Sequence, residues 1–412
     1  MKENGKYRIL QSCYWMMINV AFGYTTFYLG GYGYSAGEVG ILTAVFAAIS
    51  AVCQPVLGRV ADNSKRFNWK VILMLLSAAC CFDMILLAIF KEKLFVGLLF
   101  GLMALLMNCM MPMINAACFY YEKRGVHVDF GIARGMGSMF YAVVSMILGW
   151  LTVRIGTSAI PLAGIPILMV LFLTVCFMPL RENALESDVQ TREHDAQKKQ
   201  QIRKSENEKS VKKAGTSSGK EGSMLKKYPA FSVMILGSEL LMSVHTLKTT
   251  YLFQILERIG GNTGHLGTAL AIGAVAEVPT LFLFSHIIKR HSAARLLVIC
   301  SFFYIVKSTM LLFAGSIGMV YAAHLLQPVS YALYVSAIVY FTDESMQEDD
   351  KVTGQSLMTM TSAVGSVVGN LVGGWLIDFG GVTMMMTFWA VLAVVAASVV
   401  VVSVMMHGKV RK

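Results

Sequence analysis

A helix of about 20 apolar residues rises far enough to cross the ~30 Å hydrocarbon core of a bilayer. This chain holds twelve such runs, at roughly 8–30, 37–61, 69–90, 94–121, 129–153, 160–180, 229–256, 265–288, 293–314, 317–341, 355–378 and 381–407. Several carry Gly, Pro or a polar residue in mid-run, which bundled membrane helices tolerate because neighbours satisfy the released backbone groups. Of the 412 residues, 56% are hydrophobic and 14% charged, against about 25% charged in an ordinary soluble domain. A string of soluble domains is excluded. The expected fold class is an all-α polytopic membrane protein, with twelve transmembrane helices in two pseudo-symmetric six-helix bundles.

The net charge of +11 invites a nucleic-acid reading, but the cations are spread between the apolar runs as topology signals are. Of the 35 Lys and Arg, 28 fall on the side that holds the two termini and segment 181–228, four on the other side, and three (Arg134, Lys248, Lys307) within spans. By the positive-inside rule, the expectation is a cell-membrane protein with both termini cytoplasmic and no nucleic-acid partner. The polar stretch 181–228, rich in Lys, Glu, Ser and Gln, reads as a disordered cytoplasmic linker. It divides a six-helix half, 1–180, from a second, 229–412. The apolar start has no small-residue cleavage site, so no cleavable signal peptide is expected.

Several other chemistries are set aside. All eight cysteines lie in apolar runs, with no CxxC pair and no histidine at zinc spacing, and the 28 methionines are scattered core or lipid-facing filler. No metal or other cofactor is expected. Gly215–Glu221, GTSSGKE, has the wrong spacing for a phosphate loop and no Ser or Thr after Lys220. With no ATPase domain in the sequence, uphill movement of a solute would draw on an ion or substrate gradient.

Two stretches carry a resemblance. Gly58-Arg59-Val60-Ala61-Asp62, followed by Lys65, Arg66 and Lys70, resembles the G-x-L-x-D-x-x-G-R-R/K signature between spans 2 and 3 of the major facilitator superfamily, although the glycine usual after the aspartate is missing. Phe46–Ser50 with Gln54–Gly58 is similar in wording to the lactose permease branch, the oligosaccharide:proton symporters. Asp129 to Ser138, DFGIARGMGS, resembles the F-G-x-x-R-x-x-G-S/C sequence of that branch and of the 3-phenylpropionate and nucleoside transporters. The resemblance implies a conformational-switch motif at Gly58, Asp62 and Arg66. It also implies a cargo contact at Arg134, with an aromatic partner at Tyr141. The chain departs from the permease pattern where Asn115 stands for a span 4 glutamate, and where His324 and Gln327 stand on span 10 without a carboxylate. Glu277 on span 8 keeps an acid, and Lys307 on span 9 lies near the position of an arginine.

Ionisable residues inside a span cost at least ~2.5–3.5 kcal/mol each at mid-helix, so they should face a cavity or a partner. There are eight: Asp83, Arg134, Glu239, His245, Lys248, Glu277, Lys307 and His324. Arg134 offers a fork of donors to hydroxyl pairs or a carboxylate, or snorkels to the interface. Glu277 reads as a carboxyl that takes up and releases a proton, or as half of a structural ion pair. His245 and Lys248, one turn apart, share a face of span 7. Lys307 neutralises Glu277, binds an anion or is structural, and His324 is a satisfied core histidine or a proton relay. Tyr28, Asn115 and Gln327 are further candidates to line a cavity. Gly365, Gly369 and Gly373, and Gly131 with Gly135, form small-residue stripes that let helices pack closely and let one half rock on the other around a midplane site.

The expected function is secondary active transport of a small polar solute by alternating access, with a sugar or oligosaccharide as cargo. Coupling to protons would run through Glu277, His324 and His245, and cargo would bind among Arg134, Tyr141, Asn115, Lys307, Lys248, Tyr28 and Gln327. The expected partners are a small-molecule substrate and the lipid bilayer, with the chain acting as a monomer. An aromatic or other organic acid, a nucleoside, or export of amphipathic compounds are alternatives within transport. A non-transporting sensor is an alternative outside it, and an enzyme is not expected.

Overall fold

The computed structural model describes residues 3–64, 66–122, 124–126, 128–180, 226–347 and 350–410. The expected 181–228 linker therefore lies almost wholly outside the described residues. Everything regular in the described chain is helical. Nine stretches are long and apolar enough to cross a membrane. Two of these, Phe130–Phe177 and Thr353–Gly408, are each a pair of spans joined at a glycine with positive φ, Gly156 (+62°) and Gly381 (+75°). Span 1, interrupted at Asn19–Gly23, completes twelve.

Local sequence sets where the helices begin. Span 2 (Ala36–Asn63) starts at a capping box in which the Ser35 hydroxyl accepts from the Glu38 amide and the Glu38 carboxylate accepts from Ser35. Span 8 (Thr263–Arg290) starts the same way, with Asn262 and His265 in those roles. Each box satisfies amides that a helix start leaves without partners. Asn68, Asp129 and Ser292 cap spans 3 (Trp69–Ile89), 5 (Phe130–Ile155) and 9 (Ala293–Leu312).

The two halves repeat one plan. Span 1 runs as Glu3–Ile18, a π turn at Asn19–Gly23, then Thr25–Gly30. Span 7 breaks at the matching place, as Pro229–Thr250 and Leu252–Glu257. Span 10 is broken by a second π turn, Pro328–Ala332, between Ile317–His324 and Leu333–Glu344. Spans 4 (Lys93–Glu122) and 6 (Ala159–Phe177) complete the first half with span 3. In the second half, spans 7, 9 and 10 pack with spans 11 and 12 (Lys351–Val410, divided at Gly381).

Spans 5 and 8 cross at one seam between the halves, and spans 2 and 11 cross at the other. Both crossings are close enough to require glycine. A Cβ on Gly267 of span 8 would run into the Ser145 carbonyl and the Tyr24 hydroxyl, and one on Gly40 of span 2 into the Asn370 carbonyl and the Tyr251 hydroxyl. The expected stripe Gly365, Gly369 and Gly373 packs elsewhere. Its neighbours are Glu239, Met242, Ser243, Thr246 and Leu247 of span 7, so it tightens the second half internally and does not form the rocking surface. Gly135 does look across the halves, onto Phe282 of span 8.

Candidate functional site

The seams place residues of both halves around one cavity of about 180 Å³. Trp15 and Ile18 come from span 1, and Arg134, Ser138 and Tyr141 from span 5. His245, Lys248 and Thr249 come from span 7, Glu277 from span 8, and His324, Gln327 and Tyr331 from span 10. Seven of the expected cargo and proton positions thus share one space: Arg134, Tyr141, His245, Lys248, Glu277, His324 and Gln327.

Helical spacing explains the arrangement. Arg134, Ser138 and Tyr141 stand at i, i+4 and i+7, one stripe of span 5. The Arg134 guanidinium donates to the Ser138 hydroxyl at 2.7 Å and lies 3.6 Å from the centre of the Trp15 ring. That contact is a cation–π pair, which holds the guanidinium plane flat against the cavity wall. Across the cavity the His245 and Tyr331 rings stack at 3.9 Å and 11°.

Gln327 is the hub of the polar network. Its side-chain carbonyl accepts from Lys248 Nζ at 3.0 Å and also from Lys307 Nζ, and its amide donates to Glu277 Oε1 at 2.8 Å. Lys307 is buried behind Gln327, off the cavity wall. Neither lysine touches the carboxylate; the amide stands between them. Among the described residues, no salt bridge includes Arg134, Lys248, Lys307 or Glu277. His324 Nδ1 lies 2.9 Å from the Val320 carbonyl, and its Nε2 has no protein partner.

Other expected residues sit elsewhere. Tyr28 is fully buried, stacked on Phe100 and beside Tyr32. Asn115 is half-buried on span 4, and its Oδ1 has no protein partner. Neither lines the cavity. Arg66 lies 5.8 Å from the Phe67 ring centre, the side chain of Asp62 is outside the described residues, and a Cβ on Gly58 would meet nothing within 4 Å. Gly58 therefore makes no close helix approach in this structure. Trp15, Ser138, Thr249 and Tyr331 were not anticipated. Ser138 could have been found from its i, i+4 relation to Arg134, and Trp15 only from a three-dimensional packing of spans 1 and 5.

The cavity is closed at one end. Thr26 of span 1 donates to the Thr250 carbonyl at 3.1 Å, and Phe27 meets Phe253 edge-on at 5.3 Å. Asp378 of span 11 accepts from the Ser35 hydroxyl at 2.7 Å and the Gly37 amide at 2.9 Å, at the start of span 2. A carboxylate at a helix N-terminus is favourably placed. This sealed face lies opposite the termini. The end near Gly58 has no comparable join among the described residues.

The chain matches the sequence profile of the MFS_1 like family over residues 7–390. No curated protein sequence matches it. Its fold is similar to the solved structure of the nucleoside transporter NupG, at 12% identity and TM-score 0.77, covering 99% of this chain and 100% of that one. It is also similar to a transporter of the POT family in complex with 5-aminolevulinic acid (10% identity, TM-score 0.72, 99% and 96% covered). A third is a bacterial homologue of the human lysosomal transporter Spinster in an inward-facing, occupied conformation (13% identity, TM-score 0.67, 97% and 96% covered). At these identities the structures speak for the fold, while the profile spans most of the chain: this multi-pass membrane protein belongs to the MFS_1 like family and is a transporter of the major facilitator type.

Proposed function

We propose that the chain is a proton-coupled secondary transporter of a small polar organic solute, working as a monomer by alternating access and needing no cofactor. The observation that carries this reading is the cavity at the seam of the halves, lined from both and holding a carboxylate, Glu277, among hydrogen-bond donors. Such a carboxylate can take up a proton as the halves rock, and protonation would weaken the bond it accepts from the Gln327 amide, because a neutral carboxyl is a poorer acceptor than a carboxylate. If the termini are cytoplasmic, as the lysine and arginine bias expects, the sealed face is external and the structure is the inward-facing member of the cycle.

A monosaccharide-sized cargo suits the cavity better than an oligosaccharide, because 180 Å³ is below the ~300–1,000 Å³ of sites for drug-sized ligands. A nucleoside stays open as cargo, supported by the fold shared with NupG and by the stacked rings of His245 and Tyr331. The test is uptake into energised proteoliposomes. Glu277→Gln should abolish uphill uptake while counterflow exchange continues. Uphill uptake at the wild-type level in this variant would remove Glu277 from the coupling step.

A further inference from the structure

We infer that the cargo carries a negative charge, and that the Gln327 side-chain carbonyl holds the place its anionic group takes beside Lys248. This rests on the transporter reading and names the class of solute for the same cavity. Arg134 and Lys248 on the cavity wall and Lys307 just behind Gln327 are three cations around one carboxylate, Glu277, and among the described residues none of the four is in a salt bridge. The cavity is thus built with a surplus of two positive charges. If the two lysines shared a single charge, a surplus of one would remain.

Burial makes that surplus consequential. Lys248 is 5% exposed and Lys307 3% exposed, and removing charges from water is costly unless opposite charge and hydrogen bonds compensate. What the two ammonium groups share is one neutral amide oxygen. An amide carbonyl is a weaker partner for an ammonium than a carboxylate, phosphate or sulfonate oxygen is, since charge-assisted bonds are about twice as strong. An anionic group entering the cavity can therefore displace Gln327 from Lys248 with a gain, whereas a neutral hydroxyl or amide exchanges like for like. Gln327 then keeps Lys307 and Glu277.

The remaining walls suit an organic body. Among the described residues Arg134 has only the Ser138 hydroxyl as hydrogen-bond partner, so its other donors are available to hydroxyl or carbonyl groups. The stacked pair of His245 and Tyr331 offers a flat face. The class is a compact organic anion, with its charged end towards span 7 and span 10.

The test uses purified full-length protein and thermal unfolding, with matched pairs of probes that differ in charge: benzoate and benzamide, gluconate and glucose, uridine monophosphate and uridine. The ionised member of at least one pair should raise Tm while its neutral partner does not. Lys248→Met removes one uncompensated cation, so the empty variant should melt roughly 2–4 °C higher than wild type, and its response to the anion should weaken about tenfold or more. Lys307→Met reads the same surplus if Lys248→Met does not accumulate.

Stabilisation by a neutral member equal to that by its anion overturns the inference. So does a lower Tm in the empty lysine variants, which would mean that the cations are already compensated. If no probe shifts wild type, the direction of the empty-variant Tm decides alone. Uphill uptake of a neutral solute that depends on Glu277 would leave the transporter reading standing while removing this one.

Discussion

Tyr24 and Tyr251 are counterparts, each at the break of the first span of its half and each hydrogen-bonded to a seam helix. The Tyr24 hydroxyl donates to the Ser145 carbonyl at 2.8 Å, and the Tyr251 hydroxyl donates to the Asn370 carbonyl at 2.7 Å. Against each pair leans a glycine of the other half, five residues into its span: Gly267 on the first, Gly40 on the second. The sealed face is thus held by one arrangement used twice. Each tyrosine fixes the carbonyl surface onto which the opposing glycine closes.

Removing the hydroxyl should loosen that face by a modest amount. A neutral hydrogen bond contributes about 1 kcal/mol, so Tyr24→Phe or Tyr251→Phe should shift the balance between the two ends by about fivefold. A cysteine placed at Phe253 should then react faster with an impermeant maleimide. Unchanged labelling in both variants would show that the hydroxyls do not hold the seal.

Adding a methyl at the same crossings should act more severely. In Gly267→Ala or Gly40→Ala the new Cβ would occupy space taken by backbone carbonyls, which cannot turn aside as a flexible side chain can. The expected outcome is a folded protein whose transport falls at least about tenfold. Disulfide cross-linking between cysteines at Phe27 and Phe253 should be reduced in parallel. Normal cross-linking with normal transport would show that the crossing is looser than the structure has it.

Asp378 should behave as a latch. Its carboxylate takes the Ser35 hydroxyl and the Gly37 amide at the start of span 2, and charge-assisted bonds contribute more than neutral ones. Asp378→Ala should open the sealed face more than either tyrosine variant, by the same maleimide readout. Asp378→Asn, which keeps an acceptor oxygen, should fall between Asp378→Ala and wild type.

Asp83 on span 3 is 2% exposed and neither carboxyl oxygen has a partner among the described residues. A buried polar group left without a partner costs about 1–3 kcal/mol, which an apolar replacement removes. Asp83→Leu should therefore raise Tm, with transport kept. A fall in Tm, or loss of transport at raised Tm, would show that Asp83 finds a partner in the other conformation.

Arg134→Lys keeps the charge but loses the planar stack on Trp15 and the fork of donors. Cargo affinity should drop roughly tenfold, by direct binding or KM, with a smaller change in kcat. Equal function would mean that only the charge at this position matters.

The sequence made the twelve spans legible because crossing a bilayer imposes a length and a polarity that no tertiary contact overrides. It also made the mid-span charges legible: ionisable groups are too costly in lipid to lie without a cavity or a partner, and Arg134, Lys248 and Glu277 line the cavity. The partner of each charge was not legible. Pairing Glu277 with Lys307 is natural on paper, yet Gln327 separates them, which depends on how spans 8, 9 and 10 rotate against one another. The glycines were misread for the same reason. The regular stripe at Gly365, Gly369 and Gly373 draws the eye, while the crossings between the halves use Gly40 and Gly267, whose importance depends on which helix passes opposite.

The π turns at Asn19–Gly23 and Pro328–Ala332 have a consequence for how span length can change. Each stores one residue more than a regular helix needs, as a bulge that leaves the flanking faces in place. Deleting one residue inside 19–23 should let the turn relax to ordinary helix, with Tyr24 still facing Ser145. The same deletion at 16 or 17 would swing everything before it by about 100°, turning Trp15 off the cavity. The bulges are therefore the two positions in these spans where the chain can be shortened without rewriting what each face touches.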